Sequence, residues 1–225
     1  RICRQHEVMF HTDCVQAAGQ YELSVHKNDV DFATVSSHKI HGPKGVGALY
    51  ARDKEFLPLV CGGAEQEFGL RGGTENVPGI VGFGAATNIA VEEMHDDLIS
   101  VSMLKQRFYM ALLDAFRRLD LPTDCIHVNG HPVIEPGKTL NLRLDGVDAQ
   151  TLLLMLDANG VCVSAGSACR SHEAEPSHVL TAMGLTPNEA RSSVRVSFSK
   201  YNTTDEVVCA AQSFASCVAT ALELI

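Results

Sequence analysis

The sequence lacks the features of several large protein classes. Its 18 Lys and Arg residues are outnumbered by 27 Asp and Glu residues, which gives a formal net charge of -9. This balance argues against a general nucleic-acid-binding protein, because such proteins neutralise phosphates with an excess of basic side chains. No apolar run approaches the roughly 20 residues that a membrane-spanning helix needs, and no signal-peptide pattern opens the chain. We therefore expect a cytoplasmic protein whose partners are neither nucleic acids nor membranes.

Cysteine is too sparse for a protein that depends on disulfides. Eight cysteines occur in 225 residues, far below the density of a disulfide-stabilised scaffold. No C-x-x-C pair is present, so the sequence predicts no structural zinc site and no other metal site. Most of the cysteines are expected to be reduced and to pack as small apolar side chains. These are Cys3, Cys14, Cys61, Cys125, Cys162, Cys209 and Cys217.

The composition is that of a globular protein, since 45% of the residues are hydrophobic and 20% are charged. A chain of this length forms one large domain or two small ones. Residues 30–35 and 45–51 are nearly continuous apolar runs, which favour strands of a sheet buried on both faces, as in α/β folds. A further strand is predicted at 7–11, and the connection after it has room for a helix over 14–25.

From Val77 the pattern changes to that of helices. Apolar residues at helical spacing predict one helix over about 77–94 and a second over 98–119. The acidic residues between 92 and 97 are interpreted as a solvated helix face.

The remainder of the chain is predicted to form a small α+β domain. Its strands are predicted at 126–129, 139–144, 161–164 and 193–198. Its helices are predicted at 149–158 and from Thr204, as the cap, to about residue 224.

Polar side chains follow two of the predicted strands. Asp13 ends the first strand, which places a carboxylate at the edge of the sheet where α/β proteins bind ligands; it equally fits the N-cap of a following helix. Residues 36–45 follow the next strand and supply hydroxyl, imidazole and amine groups. Such groups suit a phosphate, and a lysine beside them could form a Schiff base with a carbonyl cofactor. The alternative is that these lysines lie in a polar surface loop.

Cys169 and Arg195 are two further candidates for chemistry. Cys169 lies among small residues in a loop, where its sulfur is accessible and the neighbouring Arg170 favours the thiolate. Arg195 lies within an otherwise apolar strand, and its planar guanidinium suits a carboxylate. The spacing does not decide whether that carboxylate belongs to the protein or to a substrate.

Five segments, in this order, resemble motifs of the cysteine desulfurase family. They are HTDCVQ (11–16), SSHK (36–39), HGPKG (41–45), RGGTEN (71–76) and SAGSAC (164–169), and the segments EPSHVL (175–180) and SSVR (192–195) continue the resemblance. The family consists of enzymes of the aminotransferase class V, fold type I, that use pyridoxal 5'-phosphate (PLP). The long polar stretch after Cys169 is similar to that of the NifS/IscS-like branch, which feeds iron–sulfur cluster assembly.

The resemblance implies the fold and its division into domains. Residues 1–95 correspond to the C-terminal part of an α/β large PLP-binding domain, with a mainly parallel sheet and helices. Residues 96–225 correspond to the small α+β C-terminal domain that carries the reactive cysteine loop. Family members are longer, and their preceding portion supplies the His that stacks on the cofactor ring. We therefore expect the chain by itself to bind PLP weakly and to be incompetent in desulfuration.

The resemblance also implies which residues bind the cofactor. Lys39 holds PLP covalently and later moves the proton on Cα of the substrate. Asp13 pairs with the pyridine nitrogen, and Gln16 donates a hydrogen bond to the ring oxygen of PLP. Ser36 and His38 bind the phosphate.

Three further positions complete the implied site. Thr74 reaches the phosphate in the second subunit of a homodimer, and Arg195 binds the carboxylate of L-cysteine. Cys169 attacks the substrate sulfur and becomes a persulfide while L-alanine leaves. The implied enzyme is a PLP-dependent cysteine desulfurase, a sulfurtransferase that passes sulfur to an acceptor or iron–sulfur scaffold protein.

Three other functions compete with this interpretation. A selenocysteine lyase shares most of these residues and differs in its preferred chalcogen. A non-catalytic fragment or partner would keep the fold without the chemistry, although the joint presence of Lys39, Asp13, Cys169 and Arg195 argues against it. A Cys/His metal protein lacks support because paired ligand spacing is absent.

Overall fold

The structure is a computed structural model that describes residues 1–53, 55, 65–130, 137–165 and 176–223. Its contacts divide the chain into two compact units, Arg1–Asp96 and Asp97–Ile225. Within the described residues, no helix is both long enough and apolar enough to cross a membrane.

The first unit contains a small sheet and short helical turns. In chain order they are α1 (Ile2–Gln5), β1 (His11–Asp13), β2 (Phe32–Ser36), a 3-10 turn (Ser37–Ile40), β3 (Gly47–Ala51) and a second 3-10 turn (Gln66–Gly69). Strand β1 pairs with β2 in parallel, and β2 pairs with β3 in antiparallel orientation. The buried apolar residues of this sheet are Cys14, Val30 and Ala33.

Three predictions for this unit are wrong. Its strands are not buried on both faces, since residues 47–49 of β3 are exposed and Ala33 is the one fully buried residue of β2. The first strand begins at His11, not at residue 7, because Glu7 adopts a left-handed φ of 54° that ends α1 and interrupts extended backbone. The predicted helix over 14–25 is a series of turns. Gly19 has a φ of 71°, a conformation that a continuous right-handed helix does not contain.

A single long helix replaces the two that the sequence predicts after Val77. Helix α2 runs without interruption over Val77–Arg118. No Pro or Gly lies in the acidic segment 92–97, so nothing there breaks the helical hydrogen bonds. Glu92, Glu93 and Asp96 are exposed, as predicted. Asp97 is an exception, because its carboxylate lies 2.9 Å from Lys200 Nζ.

The second unit follows the predicted pattern more closely. After a 3-10 turn (Thr123–Cys125) it contains β4 (Ile126–Asn129), β5 (Thr139–Leu144), α3 (Ala149–Ala158), α4 (His178–Ala182), α5 (Pro187–Arg191), β6 (Ser193–Ser197) and α6 (Thr204–Glu223). The sheet order is β4-β5-β6, with both pairs antiparallel.

One face of this sheet lies on the main core. Phe108, Leu112 and Phe116 of α2 and Phe214 of α6 are each at most 1% exposed. They pack in one cluster with the core-facing leucines and valines of β5 and β6. Because successive strand residues point to opposite faces, the alternate residues form a second, polar face. We call it the polar face and define it by His127, Asn129, Asn141, Arg143, Ser193 and Arg195.

Two details of this unit differ from the predictions. The segment 161–164 forms no strand; only Ser164 makes a β-bridge, to Arg195. The cap of α6 is Thr203, not Thr204. Thr203 Oγ1 accepts a hydrogen bond from Glu206 N at 3.2 Å, and Glu206 Oε2 accepts one from Thr203 N at 2.8 Å. This reciprocal pair is a capping box, in which the cap precedes the first helical residue.

Candidate active site

Two polar segments meet at one edge of the first sheet. Strands β1 and β2 are parallel, and Asp13 at the end of β1 is paired in register with Thr34 of β2. Ser36 ends β2 two residues later, and the 3-10 turn Ser37–Ile40 follows directly. Since the carboxyl ends of parallel strands lie at the same edge, the carboxylate of Asp13 and the turn that contains Lys39 share that edge.

The turn that contains Lys39 is called the lysine turn (Ser37–Ile40). Ser36 Oγ lies 2.9 Å from His38 Nδ1, so the hydroxyl and the imidazole form one hydrogen-bonded pair. Lys39 is half-buried and His38 is exposed. Gln16 is exposed in the turn that follows Asp13. The edge therefore offers a carboxylate, an amine, an amide and a hydroxyl–imidazole pair.

Asp13 also makes the local contact expected of a cap. Its Oδ1 accepts a hydrogen bond from Val15 N at 2.8 Å, although the backbone continues as a turn and not as a helix. A carboxylate has two oxygen atoms, and this contact engages one of them. The capping role and a ligand-binding role are therefore compatible at this residue.

The backbone on which the lysine turn rests is tightly packed. Gly42 N donates to Ser37 O at 3.0 Å, and Ser37 is fully buried. A Cβ on Gly42 would overlap Ser37 Oγ and would lie 3.0 Å from Ala86 Cβ and 3.1 Å from Ser37 O. Glycine is thus required here by close approach, and the turn is fixed against α2.

Replacing Gly42 with alanine is expected to lower the free energy of unfolding by about 1–3 kcal/mol, since the added methyl group must displace the lysine turn. Urea denaturation measures the change. Gly84→Ala is the matched control, because nothing lies within 4 Å of a Cβ at Gly84 on α2. An equal loss in both variants would contradict the packing argument.

A charged cluster closes the opposite end of the same strands. The guanidinium of Arg4 lies 2.6 Å from both Asp29 Oδ2 and Asp31 Oδ1, and Arg52 lies 2.6 Å from Asp29 Oδ1. Phe10 N donates to Asp31 Oδ2 at 2.8 Å. The backbone N–H of Phe10, followed by the Arg4 guanidinium, lowers the pKa of Asp31. Sequence analysis missed this cluster, whose members lie up to 48 positions apart by their numbers.

Arg195 and Arg143 lie on the same polar face in different surroundings. Arg143 lies 3.0 Å from Asp145 Oδ1 and 2.5 Å from Glu189 Oε1, so its charge is matched by two carboxylates. The Nε atoms of both arginines are buried and make no hydrogen bond to the described residues, so the two side chains differ in their ion pairs. Within that same part of the chain, no Asp or Glu forms an ion pair with Arg195.

The remaining predicted site residues give less information. Thr74 is exposed in the segment before α2. Cys169 lies outside the described residues, as does Cys61.

Cys14 and Cys217 are buried as predicted, but Cys162 and Cys209 are exposed, so the prediction of apolar packing is wrong for those two. Burial raises the pKa of the Cys125 and Cys217 thiols, which disfavours the reactive thiolate.

Metal binding has no support in the part of the chain that the structure describes. No group of three or more His, Cys, Asp or Glu side chains is arranged there to hold an ion.

Comparison with known proteins identifies the family. The model of the family "Aminotransferase class-V" matches residues 1–209. The chain is 41% identical over 207 residues to a cysteine desulfurase IscS of Methanosarcina thermophila, covering 92% of this chain and 49% of that protein. It is 42% identical over 219 residues to a putative cysteine desulfurase IscS 1 of Bacillus subtilis strain 168, covering 96% of this chain and 56% of that protein. The chain thus spans about half the length of these relatives.

Solved structures agree with this result. A NifS-like protein superposes with a TM-score of 0.82 at 33% identity, covering 96% of this chain and 53% of that one. A NifS-like protein from Rickettsia africae ESF-5 gives the same TM-score of 0.82 at 30% identity, covering 97% of this chain and 56% of that one. The predicted fold class, that of the fold type I PLP enzymes, is confirmed. The resemblance seen in the sequence is also confirmed, and the chain belongs to the aminotransferase class-V family.

Proposed function

We propose that this chain forms part of a PLP-dependent cysteine desulfurase, which converts L-cysteine to L-alanine and leaves the sulfur as an enzyme persulfide. The observation that carries the proposal is the shared sheet edge, where Asp13 of β1 and the lysine turn after β2 come together. The identity of about 40% to curated cysteine desulfurases supports the same reaction.

The side chains at this edge fit PLP in kind and number. The carboxylate of Asp13 suits the protonated pyridine nitrogen, and Gln16 suits the ring oxygen. The hydroxyl–imidazole pair of Ser36 and His38 suits the phosphate, and the amine of Lys39 suits the aldehyde. When bound, PLP supplies an electron sink for negative charge at Cα of an amino acid.

The residues of this chain perform the other parts of the reaction. Lys39 Nζ removes the proton from Cα of the substrate as a general base. The thiolate of Cys169 forms a bond to the substrate sulfur as the carbon–sulfur bond breaks and leaves its electron pair on the carbon fragment. A proton added at Cβ and a proton returned to Cα complete L-alanine. Cys169 then holds the transferred sulfur as a persulfide. Its role rests on the resemblance.

Arg195 is proposed to bind the substrate carboxylate. The carboxylates of Asp145 and Glu189 pair with Arg143, whereas Arg195 has no acidic partner among the described residues. Arg195 is half-buried, and a guanidinium without a protein carboxylate is suited to a carboxylate from outside, because its planar donors can bind both oxygen atoms.

Arg195→Lys is expected to raise KM for L-cysteine by at least about tenfold, because a lysine ammonium cannot form the bidentate hydrogen bonds that a guanidinium donates to both oxygens of a carboxylate. The cofactor absorbance should stay as in the parent. Steady-state kinetics of the full-length gene product give the result. Arg143→Lys is the control, since that cation already has protein partners, and it should leave KM unchanged. Unchanged KM in the Arg195 variant would mean that this arginine is structural.

The wider organisation is also proposed by resemblance. Residues 1–95 belong to the large cofactor domain and residues 96–225 to the small domain. The enzyme is a cytoplasmic homodimer in which Thr74 reaches the phosphate of the second subunit, and a sulfur acceptor or iron–sulfur scaffold protein receives the persulfide sulfur.

The decisive experiment supplies the full-length gene product with PLP and L-cysteine and measures alanine together with protein-bound sulfur. A cysteine desulfurase releases one alanine for each sulfur atom transferred. Preference for L-selenocysteine would instead favour the lyase. Failure to form alanine from either substrate would contradict the proposed function.

A further inference from the structure

The backbone of Arg195 is fixed from the side opposite β5. Arg195 N donates to Ser164 O at 2.7 Å, and Ser164 N donates to Arg195 O at 3.1 Å. Both backbone groups of Arg195 therefore point away from β5. In consequence Arg195 and Asn141, which face each other in register, form a non-hydrogen-bonded antiparallel pair. Side chains approach each other most closely in pairs of this kind.

The side chain of Asn141 is held by a chain of hydrogen bonds with one possible direction. Ser193 Oγ donates its single proton to Glu189 O at 2.8 Å, so it must accept at its contact with Asn129, 3.0 Å away. The group facing it is therefore Nδ2 of Asn129. The same Nδ2 donates to Asn141 Oδ1 at 2.7 Å. The amide oxygen of Asn141 is thus fixed in orientation.

This arrangement places a neutral side chain at the cross-strand position closest to Arg195. A carboxylate at that position would have the same shape but would carry the charge that pairs with a guanidinium. The acidic groups linked to this face, Asp145 and Glu189, contact Arg143 instead.

We infer that Asn141, held by Asn129 and Ser193, is a positioning residue. It keeps the guanidinium of Arg195 oriented and leaves its positive charge unpaired, so that the charge is available to the substrate carboxylate. This inference rests on the proposed function, in which Arg195 binds that carboxylate. It adds two polar-face residues, Asn129 and Asn141, that lie outside the segments resembling the family, and it gives a role to Ser193 of the SSVR segment.

Asn141→Asp tests the inference, because it changes the charge at the closest position while preserving the shape. In the full-length gene product loaded with PLP, the variant should raise KM for L-cysteine by about tenfold with little change in kcat. Calorimetric titration should show a matching loss of affinity for L-alanine. Binding of cysteamine, which lacks a carboxylate, should be unchanged. Asn188→Asp is the matched control, since Asn188 is exposed on α5, and it should bind both compounds as the parent does.

The outcomes separate this inference from the proposed function. Unchanged affinity for L-alanine in Asn141→Asp, or an equal loss for L-alanine and cysteamine, would overturn the positioning role. If Arg195→Lys also binds L-alanine as the parent does, the carboxylate role of Arg195 fails as well. Asn141→Ser removes the amide group that faces Arg195 without adding charge, so it should weaken L-alanine binding less than Asn141→Asp does. That variant provides the test if the aspartate variant does not fold.

Discussion

Replacing Cys169 with serine is expected to abolish sulfur transfer from L-cysteine, with a loss of at least about a thousandfold in rate. A thiolate attacks sulfur readily at neutral pH, whereas a serine hydroxyl remains protonated and is a poor nucleophile. The visible absorbance of the lysine-bound cofactor should persist, because Cys169 is not assigned to cofactor binding. Persulfide formation is followed by mass spectrometry of the full-length gene product after addition of L-cysteine.

The exposed cysteines provide the controls for this variant. Cys162 and Cys209 are exposed, and Cys162→Ser and Cys209→Ser should transfer sulfur at the parent rate. Cys125 is a weaker rival, since burial raises its pKa. If Cys169→Ser formed persulfide as fast as the parent, the sulfur acceptor would be another cysteine.

Lys39→Ala is expected to remove the covalent attachment of PLP and nearly all activity. Loss of proton transfer alone accounts for roughly 10²–10⁴-fold in rate, and loss of the cofactor linkage adds to it. The attachment is measured by reducing the protein with borohydride in the presence of PLP and mapping the labelled peptide. The parent should carry the label on Lys39, and the variant should carry none.

Two other lysines test whether the label is specific. Lys44 is exposed five residues after Lys39, and Lys27 Nζ lies 2.8 Å from Glu22 Oε1 on the surface. Lys44→Ala and Lys27→Ala should retain the label and the activity. Label on Lys44 in the parent protein would transfer the cofactor role to that residue.

The parts of the site that could be predicted depend on short stretches of sequence. A buried strand followed by Ser36, His38 and Lys39 indicates a polar strand end, and strand β2 ends there as expected. The position of Asp13 depends on parallel pairing with β2, which α/β patterning favours. Local propensity failed where backbone conformation decided the outcome, as at Glu7 and Gly19, whose left-handed φ values cannot be inferred from hydrophobic periodicity.

The contacts of the polar face could not be predicted in this way. Asn129 and Ser193 are 64 positions apart, and their contact depends on the register of three strands. Register is determined by which face of each strand is buried against the rest of the unit, so it emerges only when the core is assembled. The sequence also fails to predict that α2 is a single helix. The acidic segment 92–97 interrupts the apolar periodicity and so resembles a boundary between two helices, although it contains no Gly or Pro that would end a helix.

The contacts of helix α5 have a consequence for the local unfolding of the second unit. It has only five residues, and a helix this short does not persist in water without support. Glu189 supplies that support three times: one oxygen accepts from Thr186 N at 2.8 Å, the other contacts Arg143, and its carbonyl accepts from Ser193. We therefore expect α5 to unfold together with β5 and β6, so that their amide protons exchange with solvent together and not one turn at a time.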